Sequence, residues 1–506
     1  MALKHLIPLL SMSLVSLAQN YTQGLEKSTG LAPCDALISV GLSNRILTAS
    51  SEEYEPRIQS WWSANTRQHP WCLFQPQTTE EVSIGISTLQ KAGNGAGDWH
   101  IAIRSGGHGW PGSNNIDKGV TIDLGHMNNS WYDAEHKHAS IEPGAHWKDV
   151  YLNLLDKYNV TVTGGRDGDV GVGGFLLGGG ISYYTGTNGL GCDTVLNYEL
   201  VLANGTIIQA NAQENADLFK ALKGGGPNFG IVTRFDVEAM SAVELAYGHN
   251  VVSLDHSDEI MDVVVAFTEH VAERPHDHMF VLYEHSPEMN GTIILSVTAN
   301  TQGDMNTTSF DDLRRIPTLS SSWDKMSLAD AANASQVSSG YRSAGSTLTF
   351  LSSTSILLHA AQLHTDLVNR LTTLLGASGF LSSIILQPMP TLYSDISTSK
   401  GGSMLPPFPS NAIMWTGGVG VSGSDAQLAI AETELLAMTA ELERAAKEEG
   451  VLLELQYMNY AHPGQDALGT YGESKVKFMK KVAEEVDPGY FWQERVPGGF
   501  KLNRVR

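Results

Sequence analysis

The chain carries one imidazole on an unusually bare loop: "RSGGHGW", Arg104 to Trp110, sets His108 among three glycines directly behind the apolar run "WHIAI". Two more glycine loops follow, "GDVGVGGFLLGGG" from Gly168 to Gly180 and "KGGGPNFG" from Lys223 to Gly230. Backbone N–H groups left uncovered by side chains form anion-binding nests, and a pyrophosphate needs several of them. No Lys-Ser/Thr pair completes a nucleoside-triphosphate loop in any of the three. Their chemistry is therefore that of a phosphate-bearing cofactor held by backbone, with an imidazole beside it. A competing pattern, Gly418-Val-Gly420-Val-Ser-Gly423, fits the dinucleotide fingerprint GxGxxG. No βαβ unit completes it and no acidic residue follows where a ribose needs one, so it reads as a strand-to-helix turn.

These loops need strands and helices to hold them. From "WCLFQPQTTEEVSIGISTLQKAG" onward the pattern alternates strand and amphipathic helix, with a hairpin expected at Asn204-Gly205. Residues 19–65 read as a helical preface, 66–241 as the cofactor-binding domain, and 242–455 as an α+β domain whose strands and long helices predict a sheet covered on one face. Residues 456–506, rich again in tyrosine and glycine, are expected to return to the first domain.

The 506 residues carry a formal net charge of −22, which disfavours nucleic acid and anionic membrane surfaces and leaves neutral or cationic organic molecules as better partners. The start, "MALKHLIPLLSMSLVSLAQN", has a basic flank, an apolar run and a small-residue cleavage site, and residues 1–18 read as a secretory signal. A secreted route makes the sequons at Asn20, Asn128, Asn159, Asn204, Asn290, Asn306 and Asn333 candidate glycosylation sites. It also makes a Cys34–Cys72 disulfide the expected pairing, worth about 3 to 4 kcal/mol in the chain-entropy account, with Cys192 a buried free thiol. His126, His136, His138 and His146 match no compact metal-ligand spacing, so no metal site is expected.

The ordered strings "PWCLFQP", "IAIRSGGHGWPGSNNIDKGVTIDL", "GVGGFLLGGGISYYTGTNGLGCDTVLNYELVLANG", "LKGGGPNFGIVTRFDV", "YMNYAHPGQDALGTYG" and "VPGGFK" resemble the berberine bridge enzyme-like FAD-linked oxidases, within the wider group with a p-cresol methylhydroxylase-type FAD domain. The resemblance implies an α+β fold: a two-part FAD domain plus a substrate domain with an antiparallel sheet covered by helices. It implies FAD bonded covalently to His108, and contacts from Arg104, Ser105, Gly106, Gly107, Ser113, Asp169, Val170, Gly173, Gly174, Gly179, Val232 and Asn459. A histidyl tether fixes the flavin for hydride capture and raises its potential. Relatives often add a cysteinyl bond, but Asp167 stands where that sulfur would be, so a single attachment is implied. Val170 falls at the position bordering the oxygen-reactive edge, where a small side chain suits an oxidase.

Ile181 and Asn188 fall where relatives often carry tyrosines, which implies a less phenolic site. In "YMNYAH", His462 replaces the usual aspartate; Tyr457 is the first candidate to orient or deprotonate substrate and Tyr460 the second. Tyr283, Glu284, His285 and Gln387 are expected to line the cavity over the flavin, with Tyr283 and His285 on the sheet face opposite Glu284. The expected function is a secreted FAD oxidase that abstracts a hydride from a small natural product, an alcohol, amine or phenolic of secondary metabolism, and reduces O2 to H2O2. Alternatives are a secreted carbohydrate oxidase, a cyclase or dearomatising enzyme, and a non-catalytic flavin-bearing binding protein. A monomer or weak dimer is expected.

Overall fold

A computed structural model describes residues 28–92, 98–289 and 291–505. The expected signal at 1–18 and the sequons Asn20 and Asn290 lie outside them. Three sheets organise the chain. The first holds Ile46–Leu47 (β1), Cys72–Phe74 (β2), His100–Arg104 (β3) and Gly119–Asp123 (β4) in the order β1-β2-β4-β3, with β2, β4 and β3 parallel. The strands are buried on both faces, as parallel strands under helices must be, and the helix Thr79–Ala92 supplies Val82, Ile86 and Leu89 to their core. The expected boundary at 66 falls inside this sheet, because β1 in the preface pairs antiparallel with β2. Helices Ala32–Leu37 and Tyr54–Gln59 form the rest of the described preface, and Cys34 bonds Cys72 across it while Cys192 is free and buried.

The second sheet contains Ser130–Asp133 (β5), His138–Ile141 (β6), Val160–Val162 (β7), Val195–Val201 (β8), Ile207–Asn211 (β9) and Ile231–Ser241 (β10), in the order β5-β6-β10-β8-β9 with β7 on β10. β8 and β9 form the expected hairpin. Only Gly205 takes a positive φ, +85°, in a loop closed by Leu202 and Thr206. The glycine loops all leave the ends of elements in these two sheets.

The third sheet is antiparallel throughout: Leu245–Val252 (β11), Asp277–Ser286 (β12), Gly291–Asn300 (β13), Ser320–Met326 (β14), Arg342–Leu351 (β15), Phe380–Met389 (β16), Ala412–Val421 (β17) and Leu452–Leu453 (β18), ordered β14-β11-β13-β12-β16-β17-β15-β18. Helices Ser257–His270, Thr354–Leu375 and Asp425–Glu449 cover one face, packing Val264, Leu367 and Leu435 with Val281, Leu386 and Trp415. The last of these helices starts at a Ser424/Gln427 capping box and stops at Gly450 in the left-handed region, φ +76°. Gly418 and Gly420 lie in β17 and Gly423 in the turn before the Asp425–Glu449 helix, so the GxGxxG pattern is the strand-to-helix junction it was expected to be.

The uncovered face of this sheet turns Phe280, Leu282 and Met414 toward the core of the second sheet. Strand alternation then decides which expected residues reach the cleft. Tyr283 belongs to the helix-side core and His285 stacks on Phe380 there, so neither lines the cavity. Glu284 and Gln387 point the other way. In the C-terminal stretch Trp492 and Val496 join the first-sheet core, and Tyr457 and Leu502 the second-sheet core.

Candidate cofactor and substrate site

The "RSGGHGW" loop rests on a charged underside. Asp123 takes Arg57 bidentately, at 2.5 and 2.6 Å, and lies 4.0 Å from Arg104. The Arg104 guanidinium packs 3.6 Å over Trp61 and donates to the Ser60 carbonyl and hydroxyl. Its side chain therefore braces the loop from below, and what Arg104 can offer a cofactor is backbone. Above it, Gly106 touches Gly171 of the second loop: a Cβ on Gly171 would lie 2.2 Å from the Gly106 nitrogen. Ser105 closes the same junction, donating to the Pro143 carbonyl and accepting from the Gly173 N–H at 3.1 Å. Gly107, at φ +87°, then turns the chain so that His108 emerges. Trp110 and Ser113 fix the far side, through Trp110 Nε1 to the Ala461 carbonyl at 2.8 Å and Ser113 Oγ to the Trp110 carbonyl at 2.6 Å.

His108 stacks on Trp62, ring centroids 5.0 Å apart, and its Nε2 is buried with no hydrogen-bond partner. Burial pushes its pKa down to about 4, with neighbouring His146 adding to the effect, so the ring is neutral near pH 7. A neutral imidazole with an uncommitted nitrogen is the form that bonds carbon. His146 donates Nδ1–H to the Asp169 carbonyl at 2.5 Å.

On the facing loop Asp169 pairs with Lys148 at 2.6 Å and Val170 packs against the second-sheet core. The Asp167 carboxylate accepts from the Asp169 N–H at 2.8 Å and the Val337 N–H at 3.0 Å, and burial pushes its pKa up to about 6. Gly174 is exposed, with open space where a Cβ would stand. Gly179 and Gly180 adopt positive φ, and the Gly180 N–H donates to the Tyr457 hydroxyl at 2.6 Å. Asn459 Nδ2 donates to that hydroxyl and to the Phe175 carbonyl, both at 3.2 Å. Val232 is buried in β10, paired with Leu200 beside a bulge.

These contacts reverse the order of the two tyrosine candidates. The Tyr457 oxygen already receives two N–H groups, and burial raises its pKa well above the ordinary phenol value, which opposes a role as base. It pins the Gly178–Gly180 turn. Tyr460, edge-on to Tyr457 with centroids 5.1 Å apart, instead presents its hydroxyl 3.4 Å from Arg166 Nη2. The aspartate-to-His462 exchange is absorbed by Glu432, which meets His462 Nε2 at 2.7 Å.

Arg166 is the residue the sequence reading missed. Its guanidinium lies 4.3 Å over Phe280 and donates from Nη1 to His278 Nε2 at 3.0 Å and Gln387 Oε1 at 2.5 Å. Nothing in "GGRDGD" marks it, since its partners come from β12, β16 and the C-terminal stretch. Ile181 and Asn188 do lack phenols, but Tyr183, Tyr393 and Tyr460 surround the same guanidinium from other elements. Glu284 lies further along β12 on the cleft face, half-buried, its pKa raised by desolvation.

A flavin suits these residues. The orphaned Nε2 of His108, the open space over Gly174 and two facing glycine loops supply an attachment point, clearance and backbone donors.

Comparison with known proteins agrees with that fit. The family described as FAD binding domain matches residues 70–211. An FAD-dependent monooxygenase of Emericella nidulans, sdcF, is 32% identical over 480 residues, covering 93% of this chain and 98% of that protein. Among solved structures, a glucooligosaccharide oxidase of Acremonium strictum, described with a 6-S-cysteinyl, 8α-N1-histidyl FAD, superposes with a TM-score of 0.74 at 19% identity, covering 93% of this chain and 98% of its own. A variant of berberine bridge enzyme in complex with (S)-reticuline does so with a TM-score of 0.72 at 17% identity, covering 92% and 99%.

Proposed function

The chain belongs to the berberine bridge enzyme-like FAD-linked oxidoreductases, and on that basis we propose that it is an oxidase of a small natural product, carrying FAD on a single covalent bond to His108. The reaction removes a hydride and a proton from an alcohol, amine or phenolic substrate and passes the two electrons to O2, giving the oxidised product and H2O2. The observation that carries this reading is the pairing of two loops: His108 offers a neutral nitrogen without a partner, while the Asp167 carboxylate opposite is bound by two backbone N–H groups and cannot form a thioether.

Bound FAD would supply the two-electron acceptor and the route to oxygen. The chain's own residues do the rest. Gly174, exposed and with open space where a Cβ would stand, leaves backbone open to phosphate or ring, Gly106, Gly107, Gly173 and Gly179 let the loops pack closely beside it, and Tyr457 with Asn459 holds the last turn in place. Tyr460 is the group assigned to orient the substrate for hydride loss: its oxygen accepts from Arg166 Nη2 at 3.4 Å, which leaves its O–H to meet a substrate oxygen or nitrogen. Gln387, locked between Arg166 and the Pro388 carbonyl, fixes the guanidinium's position. The leader, the disulfide and the exposure of Asn128, Asn159, Asn204, Asn306 and Asn333 support a secreted glycoprotein.

Relatives such as sdcF carry the name monooxygenase, which would put oxygen into the product and consume a reductant. Oxygen uptake and peroxide release, measured on panels of phenolics, alcohols, amines and sugars, separate the readings. The oxidase reading requires one H2O2 per O2 with no nicotinamide cofactor present. Oxygen incorporated into product, or no peroxide with any panel, would sink it.

A further inference from the structure

Among the described residues, an arginine that grips a single carboxylate with two nitrogens does so through the Nε and Nη2 edge of the guanidinium. Arg57 grips Asp123 through Nε and Nη2 at 2.5 and 2.6 Å, and Arg234 meets Asp236 through the same two nitrogens at 2.9 and 3.2 Å. Arg166 spends its other nitrogen, Nη1, on His278 and Gln387, and among the described residues its Nε meets no acceptor and its gripping edge has only the 3.4 Å contact from Nη2 to Tyr460. Among the described residues no carboxylate pairs with it. The phenols of Tyr183 and Tyr393 nearby are held protonated by burial and cannot neutralise it.

A second observation points to the same place. A guanidinium only donates, so the His278 Nε2 that faces Arg166 accepts, and the ring proton must lie on Nδ1. That Nδ1 is buried with no partner, and burial beside Arg166 keeps the ring neutral. A cation and a ring N–H thus stand side by side against this face of the sheet, and among the described residues no carboxylate meets the first and no acceptor the second. An uncompensated charge of this kind is costly unless a ligand completes it.

We propose that Arg166 is the anchor for an oxyanion on the substrate, a carboxylate or an ionised phenol, gripped through its Nε and Nη2 edge beside Tyr460. The proposal rests on the oxidase reading and narrows its substrate class to organic acids and acidic phenols. It also departs from the expectation that so acidic a chain favours neutral or cationic ligands. Surface charge is screened beyond about 8 Å at physiological salt, whereas a partly buried cation acts at contact.

Binding to the flavin-loaded enzyme tests this without turnover. Benzoate, 4-nitrophenolate and methyl benzoate are titrated while the flavin absorbance is followed, in wild type, R166M and R166K. Benzoate or 4-nitrophenolate should bind about tenfold or more tightly than methyl benzoate in wild type, since charge-assisted bidentate bonds are the strong ones. The preferred anion tells carboxylate from phenol. R166M should erase the preference, and R166K, which keeps the charge but loses the fork, should retain part of it. Equal binding of anion and ester, or an unchanged anion affinity in R166M with its melting temperature preserved, overturns the proposal. So does release of FAD from both variants, which would make Arg166 part of the cofactor seat. Absence of peroxide would remove the oxidase reading and leave these affinities standing.

Discussion

The cofactor loops and the substrate sheet reach the same cleft by opposite means. On the loop side the working parts are backbone: Gly106 and Gly171 touch, Ser105 bridges the pair, and His108 is the one side chain brought out. On the sheet side the working parts are long side chains, Arg166, His278, Gln387 and Tyr460, drawn from distant stretches onto one face. At the Gly106–Gly171 junction the loop side therefore has no room for an added atom. On the sheet side specificity lies in which polar groups are left open.

Glycine substitution on the loop side should give the largest effect. Gly171→Ala forces a Cβ to within 2.2 Å of the Gly106 nitrogen, where two backbones must part, and urea unfolding should show a loss of about 3 kcal/mol or more together with lost flavin. A stable, flavin-loaded Gly171→Ala would break the comparison. Next comes Tyr460→Phe, which should lower kcat about a hundredfold with the melting temperature nearly unchanged. Tyr457→Phe should do the reverse, costing about 1 to 3 kcal/mol by stranding the Gly180 N–H.

A smaller effect belongs to Asp167. Its folded-state pKa is raised to about 6 from an ordinary 3.8, so between those values the folded chain holds a proton that the unfolded chain has released. Its contribution to stability is therefore present at acid pH and lost as pH rises through that window, by at most about 1.4 kcal/mol per pH unit. Urea midpoints measured from pH 4 to 7 should fall less steeply in Asp167→Asn than in wild type. The smallest effect is expected at Gly418 on the sheet side, where a Cβ meets only Ser383 Oγ at an ordinary 3.5 Å. Gly418→Ala should stay within about 0.5 kcal/mol of wild type.

The same contrast explains what could be read from the chain. The glycine loops, the histidine and the cysteine pair are local signals, each carried by a few adjacent residues, and their placement followed. The C-terminal tyrosines could be picked out but not told apart, because what separates them is whether the Gly180 N–H or the Arg166 guanidinium faces each hydroxyl. Tyr283 and His285 were grouped correctly by alternation, yet their face became known only from the helices packed over it. Arg166 was invisible, since its role comes from a missing carboxylate rather than from any residue beside it.

Peptide mapping of the purified, unfolded protein by mass spectrometry tests the central claim most directly. The flavin mass should appear on the peptide containing His108 and on no other. Flavin released entirely into the acid supernatant, or found on a different peptide, would contradict the single histidyl tether.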